Sequence, residues 1–201
     1  MNYKEVNRDF YDAYAEEFTK NVKNLLANPF LRQESDIFLQ ELSGERILDL
    51  GSGSGRSSGY FRSRRGYHPV CFDLSRRMLE LCKQRKLESV VGYLEKLPFG
   101  DHCFDGVWAV GSLLHSPKRK LPNILKDVQR VLKDDGIFYV SVKEGEGEKY
   151  VVSDKYPEVK RFFAFYDQDS FARRLEKHFE ILHRTKIQIG DATFLDYLCS
   201  V

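Results

Sequence analysis

The sequence lacks any long hydrophobic run. No stretch approaches the ~18 consecutive apolar residues that a membrane-spanning helix needs, and the longest apolar run, around Val107 to Leu114, is interrupted by Gly111 and Ser112. The first residues, MNYKEVNRDFYDAYAEEF, mix acids with bases and contain no apolar segment, which is typical of neither a signal peptide nor a transit peptide. We therefore expect a cytoplasmic protein without a membrane segment.

The chain is also poor in cysteine and nearly balanced in charge. Cys71, Cys82, Cys103 and Cys199 form no CxxC pair and no cluster with zinc spacing. We expect four reduced thiols and no metal site, with a structural disulfide as the alternative. A net charge of +2 does not by itself indicate a polyanionic partner, and 201 residues, 42% of them hydrophobic, are typical of one globular domain.

Apolar runs alternate with helical patterns through the middle of the chain. The runs that we interpret as strands lie in ERILDLGSGSG, HPVCFDLS, ESVVGYL, CFDGVWAVGSLL and IFYVSV. Parallel strands that are buried on both faces give continuous apolar runs, and the helices between them supply the crossovers. The alternation predicts a single doubly wound α/β sheet. The helix before the fifth run is expected to continue through Leu132 and to end at Asp135-Gly136.

Helical segments precede this core and β-like segments follow it. A three- and four-residue spacing predicts a helix with one largely aromatic face, formed by Tyr3, Val6, Phe10, Tyr14 and Phe18. The pattern breaks around Asn28-Pro29, and a second short helix ends at Ser43-Gly44. After the fifth run we expect a loop, KEGEGEKYVV, a helix near Gln168 to Lys177, and two β-like stretches, FEILHRTKIQI and ATFLDYLCSV.

A glycine-rich segment, GSGSG, follows Asp49-Leu50 at the end of the first strand. Glycines allow a sharp turn and let a ligand lie against the backbone, and the N–H groups of the following helix favour an anionic end such as a carboxylate or phosphate. Asp73 ends the next strand, where an acid can accept hydrogen bonds from both ribose hydroxyls. The alternatives are a plain tight turn and a helix cap. Together the two features favour a nucleoside site.

The glycine spacing narrows the choice of ligand. A dinucleotide-binding GxGxxG needs glycine where this chain has Arg56, whereas GxGxG is the commoner form for a ligand with an amino acid tail, such as S-adenosylmethionine (SAM). GEGEK at Gly145 to Lys149 has the wrong spacing for a Walker A loop. Gly53 stands where a GxSxG elbow would have its serine.

At these residues the chain resembles the class I SAM-dependent methyltransferases, in particular the type 11 family. The resemblance covers most of the chain, through YDAYAEEF, ILDLGSGSG, FDLSRRML, EKLPFGDHCFDGVWAVGSLLH, DVQRVLKDDGIFYVSVKEGEGE and RFFAFYDQDSF. It implies one Rossmann-like domain whose sheet has seven strands, the last of them antiparallel. The domain would consist of an N-terminal helical lid at 1–43, a cofactor-binding core at 44–143, and a C-terminal insertion with closing strands at 144–201.

The same resemblance implies the residues that bind the cofactor. They are Tyr11, Asp49, Gly51, Ser52, Gly53, Asp73, Leu74, Tyr93, Leu94, Glu95, Val110 and Ser112. Asp49, Gly51 and Gly53 would line the methionine part, and the segment from Val110 to Ser112 would pass beneath its amino acid end. Asp73 would hold the ribose and Leu74 would pack on the adenine.

One position departs from the family pattern. Tyr93 stands where the family usually has an aspartate that accepts a hydrogen bond from the adenine amino group. Three alternatives for adenine recognition follow: the phenolic oxygen of Tyr93, the carboxylate of Glu95, or backbone groups at Leu94.

Methyl transfer from a sulfonium is an in-line displacement that mainly requires alignment and exclusion of water. Two residues are candidates for a catalytic role: Tyr11 in the lid helix, and His115 after the fourth strand, a possible base near neutral pH. Packing and local hydrogen bonding are the alternatives. Lys143 and Glu144 follow the fifth strand at the same edge. In the aromatic block RFFAFY, Arg161 and Tyr166 are the expected acceptor contacts, and the other aromatic residues are expected to cover the sheet.

Basic residues concentrate on the first two crossover helices. They are Arg62, Arg64, Arg65, Arg76, Arg77, Lys83, Arg85 and Lys86. We interpret them as a solvated helix face rather than a nucleic-acid surface. We therefore expect a methyltransferase for a small-molecule acceptor. The alternatives are an RNA (tRNA base) methyltransferase, a non-catalytic module that binds SAM or its demethylated product, and, more distantly, a nicotinamide-dependent dehydrogenase.

Overall fold

The computed structural model describes residues 2–21, 29–64, 66–153 and 155–201. The predicted helix break at Asn28 and the basic residue Arg65 lie outside the described residues. In chain order the elements are α1 (Tyr3–Asn21), α2 (Pro29–Glu41), β1 (Arg46–Leu50), α3 (Arg56–Ser63), β2 (His68–Asp73), α4 (Arg76–Gln84), β3 (Glu88–Val91), β4 (Phe104–Val110), short 3₁₀ turns at Leu113–His115 and Lys118–Lys120, α5 (Leu121–Val131), β5 (Leu132–Lys143), β6 (Glu148–Ser153), β7 (Tyr156–Ala164), α6 (Gln168–Leu175), β8 (Glu180–Ile189) and β9 (Ala192–Ser200).

The main sheet has seven strands in the order β3-β2-β1-β4-β5-β9-β8. Strands β1 to β5 pair in parallel, and β9 runs antiparallel to both β5 and β8. The α/β fold with an antiparallel last strand is therefore confirmed. Strand order reverses between β1 and β4, and the carboxyl ends of the strands at such a switch point form the usual ligand crevice.

Each face of the sheet carries its own hydrophobic layer. On one face Leu48, Val107 and Phe138 pack with residues of α5 and α6. On the other, Phe38 of α2 contacts Trp108, and Trp108 stacks on Tyr139 with ring centroids 4.1 Å apart. Strands buried on both faces explain why the central runs are continuously apolar. Among the residues that the structure describes, no helix has the length and apolarity needed to cross a bilayer.

Two sequence predictions about secondary structure are wrong. Helix α5 ends at Val131, not at Asp135-Gly136, because Leu132 is extended and pairs with Phe104. The apolar spacing continues into Leu132 only because this residue is buried as part of β5. The register between β4 and β5 then shifts, which accounts for the irregular residues before Ile137.

The second error concerns the predicted loop KEGEGEKYVV. Its later part forms β6, which pairs antiparallel with β7 in a separate two-stranded sheet. Tyr150 lies opposite Phe162, and the two rings contact each other with centroids 5.5 Å apart. Strand formation here depends on cross-strand partners, which glycine and glutamate content does not reveal.

Helix α1 is fixed to this hairpin by a buried amide. Asn7 is 1% exposed; its Nδ2 donates to the carbonyl of His115 at 3.1 Å, and the Phe162 amide donates to its Oδ1 at 2.8 Å. Tyr14 interrupts the helix with non-helical backbone angles (φ −115°, ψ 18°). Asn7 therefore anchors the first part of α1 to both β7 and the segment after β4.

We expect Asn7→Ala to lower the free energy of unfolding by about 1–3 kcal/mol, because it leaves a buried N–H and a buried carbonyl without partners. Urea denaturation followed by circular dichroism measures the loss. Asn123→Ala, an exposed position on α5, is the matched control and should change the free energy by less than about 0.5 kcal/mol. Equal effects of the two substitutions would show that Asn7 is not an anchor.

Candidate active site

A cavity of about 610 Å³ opens at the carboxyl ends of the central strands, beneath α1 and β7. The cofactor-binding and catalytic residues predicted from the sequence all line it: Tyr11, Asp49, Gly51, Ser52, Gly53, Asp73, Leu74, Tyr93, Leu94, Glu95, Val110, Ser112 and His115. The fold thus brings the predicted residues into one place. Their individual roles stay predictions.

The glycine loop is held by backbone hydrogen bonds to the neighbouring strand. The amides of Gly51 and Ser52 both donate to the carbonyl of Phe72, at 2.7 and 3.1 Å. Gly51 has φ +79°, and a β-carbon there would lie 2.2 Å from that of Ser112. Gly53 has φ +52°, and a β-carbon there would meet no protein atom within 4 Å. The loop after β1 is therefore tightly packed below and open above, where a ligand can approach the backbone.

Asp73 connects this loop to the end of β2. Its Oδ2 accepts from the Gly53 amide at 2.8 Å and its Oδ1 from the Ser75 amide at 2.9 Å. Burial raises the pKa of Asp73 to about 6, although these backbone hydrogen bonds counteract the shift. The N-cap of α4 is Ser75, which accepts from the Met78 amide. Asp73 is thus not the N-cap, and each oxygen keeps lone-pair capacity for a ligand.

Asp49 lies deeper, below the start of α3. Its Oδ2 accepts from both the amide and the hydroxyl of Ser58, at 3.1 and 2.7 Å. Burial raises the pKa of Asp49 to about 6, and the bonds from Ser58 counteract the shift. The carboxylate therefore fixes the first turn of α3 while also lining the cavity.

Arg56, the first residue of α3, is a cavity residue that the sequence analysis missed. Its Nη1 is buried and has no hydrogen-bond partner in the described part of the chain. Burial, and then the charge of Arg85, lower the pKa of Arg56 to about 10. A buried N–H donor without a partner is costly, so the site favours a ligand acceptor at Nη1, although the charge of Asp49 already stabilises the guanidinium in part. Its position directly after GxGxG could have indicated a ligand contact, but the sequence analysis used Arg56 only as an argument against a GxGxxG motif.

Tyr11 and His115 form a hydrogen-bonded pair, with the Tyr11 hydroxyl 2.8 Å from Nε2 of His115. Nδ1 lies 2.8 Å from the carbonyl of Phe162. Because a carbonyl only accepts, Nδ1 carries the proton and Nε2 accepts from Tyr11. Burial, and then the charges of Arg161 and Lys143, lower the pKa of His115 to about 3, so the imidazole is neutral. Its free lone pair orients the Tyr11 hydroxyl.

At the end of the cavity where adenine is expected, side chains of α1 contact Tyr93 and Glu95. The carboxylate of Glu95 accepts from the Tyr3 hydroxyl and pairs with Lys4 Nζ at 3.0 Å. The same Nζ lies 4.7 Å from the ring centroid of Tyr93, which is 43% exposed at the rim. Tyr93, Leu94 and Glu95 all line the cavity, and all three alternatives for adenine recognition stay open.

Beyond β4 and β5 the wall combines basic and aromatic residues. Lys143, Arg161, Phe163 and Phe194 line the cavity there. Tyr166 does not: it is fully buried, and its ring packs against Phe171 with centroids 4.7 Å apart. The expected acceptor contact at Tyr166 is therefore wrong, because its side chain lies in the core beside α6.

Three buried oxygens on the cavity wall have no hydrogen-bond partner among the described residues: Ser112 Oγ, Ser116 Oγ and Asp196 Oδ1. Asp196 lies on β9 opposite Ser141, whose hydroxyl bonds to its carboxyl. Burial raises the pKa of Asp196 to about 7. These groups remain available to hydrogen-bond a ligand.

Several basic residues on α3 and α4 have local partners. Arg77 pairs with Glu16 and Glu80, each at 2.6 Å, and Arg64 pairs with Asp36 at 3.2 Å. Arg62 donates to the carbonyls of Arg85 and Lys86. This pairing agrees with a solvated helix face.

Comparison with known proteins identifies the family. A family model described as "Methyltransferase domain" matches residues 48–140. The chain is 38% identical over 99 residues to a glycine/sarcosine/dimethylglycine N-methyltransferase of Actinopolyspora halophila, covering 45% of this chain and 17% of that one. It is 31% identical over 149 residues to an uncharacterised protein of Methanocaldococcus jannaschii, covering 72% and 55%. The chain thus spans less than two thirds of the length of these curated relatives.

A solved structure shows the same fold over nearly the whole chain. It is the 1,6-didemethyltoxoflavin-N1-methyltransferase of Burkholderia thailandensis, with bound 1,6-didemethyltoxoflavin and S-adenosylhomocysteine; it has a TM-score of 0.70 and 20% identity, and the match covers 96% of this chain and 88% of that one. The fold that positions the glycine loop and the acid after β2 is thus shared with a solved structure. Residues 48–140, which carry most of the cofactor-binding core, match the type 11 family of SAM-dependent methyltransferases.

Proposed function

We propose that this protein binds SAM in the cavity and transfers its methyl group to a small-molecule acceptor. The observation that carries the proposal is the pairing of an open glycine loop with two polar groups of opposite charge. Asp73 lies on one side of Gly53, at 2.8 Å from its amide. Arg56, with its unpartnered Nη1, begins the helix that follows the loop. A nucleoside with an amino acid tail fits this set.

Each part of SAM has a matching group on the wall. Asp73 accepts from the ribose hydroxyls, Leu74 packs on the adenine, and Arg56 together with the N–H groups at the start of α3 holds the carboxylate. SAM is the cofactor of this family, and when bound it supplies a methyl group already activated by the sulfonium. The side chains therefore have only to align the acceptor and exclude water.

Tyr11 and His115 are the residues best placed to touch the acceptor. The neutral imidazole fixes the direction of the Tyr11 hydroxyl, which then orients an acceptor next to the methyl group. A lowered pKa makes His115 a weak base, so its main contribution is to position Tyr11, and acceptors that need no strong base suit the site.

Three observations favour a small molecule over RNA as the acceptor. Helix α1 and the β6–β7 hairpin lie over the cavity and are fixed to each other by Asn7, which restricts access to small ligands. The relatives from Actinopolyspora and Burkholderia are named for small acceptors. Basic residues on α3 and α4 are partly neutralised by local partners, which weakens the case for a polyanion surface.

Isothermal titration with SAM tests the cofactor site. We expect Asp73→Ala to weaken binding about 10- to 100-fold, since it removes charge-assisted hydrogen bonds of about 1.5–3 kcal/mol. Gly53→Val should weaken it at least as much, because a side chain would occupy the space of the ligand. Asp191→Ala, an exposed position between β8 and β9, is the control. Unchanged affinity in both loop variants would refute the site.

Turnover is tested separately, by S-adenosylhomocysteine release over a panel of small amines, phenols and heterocycles, with bulk tRNA as a further acceptor. Release with a small acceptor supports the proposal. Release only with tRNA would identify an RNA methyltransferase, and tight SAM binding without any release would identify a non-catalytic module.

Arg56 is tested separately, because in this proposal it binds the carboxylate of SAM. We expect Arg56→Met to weaken SAM binding at least tenfold and to leave 5′-methylthioadenosine, which lacks the carboxylate, within twofold of wild type. Arg56→Lys should retain part of the SAM affinity, since it keeps the charge but not the planar fork. An equal loss for both ligands would show that Arg56 acts on the shape of the loop rather than on the carboxylate.

A further inference from the structure

Two basic side chains on the far side of the cavity have no acidic partner. Lys143 ends β5 and Arg161 lies on β7; both are half-buried and both line the cavity. Of the residues that the structure describes, no carboxylate forms an ion pair with either. Lys4, which also lines the cavity, differs in that it pairs with Glu95 at 3.0 Å. Neither of these two positive charges is therefore compensated by a direct ion pair.

Aromatic rings pack against these two cations. The guanidinium carbon of Arg161 lies 4.4 Å from the ring centroid of Phe10 and 5.1 Å from that of Phe163. Lys143 Nζ lies 4.9 Å from the ring centroid of Phe163 and 5.7 Å from that of Phe194. An aromatic ring stabilises a cation through its π-electrons, whereas a hydrogen-bond acceptor would use one of the N–H donors of the cation. Apart from the contact of Arg161 with the Tyr11 hydroxyl, the donors of the two cations stay available for a ligand.

The two cations also share one neighbourhood, because both contact the ring of Phe163. Burial, and then the charge of Arg161, lower the pKa of Lys143. Like charges placed together in a poorly hydrated site repel each other strongly. An anion bound between them would remove that cost, and Arg in particular binds a carboxylate through two parallel hydrogen bonds.

The carboxylate of SAM is not the expected occupant. Arg56 lies at the glycine loop after β1, where that carboxylate belongs, whereas Lys143 follows β5, on the other side of β4 from β1. His115 packs on the same Phe163 ring as the two cations, with ring centroids 4.8 Å apart, and its Nε2 lies 2.8 Å from the Tyr11 hydroxyl. The two cations thus lie at the acceptor end of the cavity.

We propose that the methyl acceptor carries a carboxylate, which Arg161 and Lys143 bind together while Phe163 and Phe194 pack against the apolar part of the molecule. The inference rests on the proposed function, because it places the cofactor at the other end of the cavity. It adds the substrate class: a small carboxylic acid that bears the nucleophilic atom elsewhere in the molecule.

The test compares acids with their primary amides. The protein, loaded with S-adenosylhomocysteine, is titrated with glycine, benzoate, phenylacetate and indole-3-acetate, and with the amide of each. We expect at least one acid to bind tenfold or more tightly than its amide. Arg161→Gln and Lys143→Met should each reduce this ratio at least threefold, and Arg161→Lys should retain part of it. Lys160→Met, an exposed position on the same strand, is the matched control.

Other readouts separate this proposal from its alternatives. Affinity for S-adenosylhomocysteine should stay within twofold of wild type in both variants. Their thermal midpoints should not fall, because each removes an unpaired, poorly hydrated cation. Equal affinities for acids and amides, a ratio that survives both substitutions, or a loss confined to S-adenosylhomocysteine binding would overturn the proposal. Failure of the proposed function would instead show in the titration of wild-type protein with SAM.

Discussion

The contact between the loop after β1 and the end of β2 is the constraint on which the rest of the site depends. The Phe72 carbonyl holds the amides of Gly51 and Ser52, and the Asp73 carboxylate holds the amide of Gly53. These bonds use the amide groups of the loop that face β2. The surface of the loop that faces the cavity stays free for a ligand. The position of α3, and with it Arg56, follows from the direction in which this loop leaves the sheet.

The cavity differs from the hydrophobic core in how its polar groups are satisfied. Groups that shape the protein have protein partners, as Asp49 has in Ser58 and Glu95 in Lys4. Groups such as Arg56 Nη1 and Asp196 Oδ1 have none among the described residues. A buried polar group without a partner costs free energy. Such groups therefore mark the places where a ligand would gain binding free energy by supplying the missing hydrogen bond.

The sequence predicted the central sheet well, because strands buried on both faces give unbroken apolar runs such as HPVCFD. It also predicted Gly53 and Asp73 as neighbours, since both follow adjacent strands. It failed at the β6–β7 hairpin, where pairing between Tyr150 and Phe162 decides the structure. Arg56 and Asn7 were missed for another reason: their significance lies in burial and in the presence or absence of partners, which only the fold determines.

The hydrogen bonds of Asn7 have a consequence for how molecules enter and leave. The amide that bonds Asn7 belongs to Phe162, the residue next to Arg161. Tyr3, Lys4 and Tyr11 of the same helix lie over the cavity. Separation of the first half of α1, up to the irregular turn at Tyr14, from the hairpin would break these hydrogen bonds and uncover this side of the cavity. The same few hydrogen bonds would then set both how firmly α1 covers the cavity and how fast ligands enter and leave it.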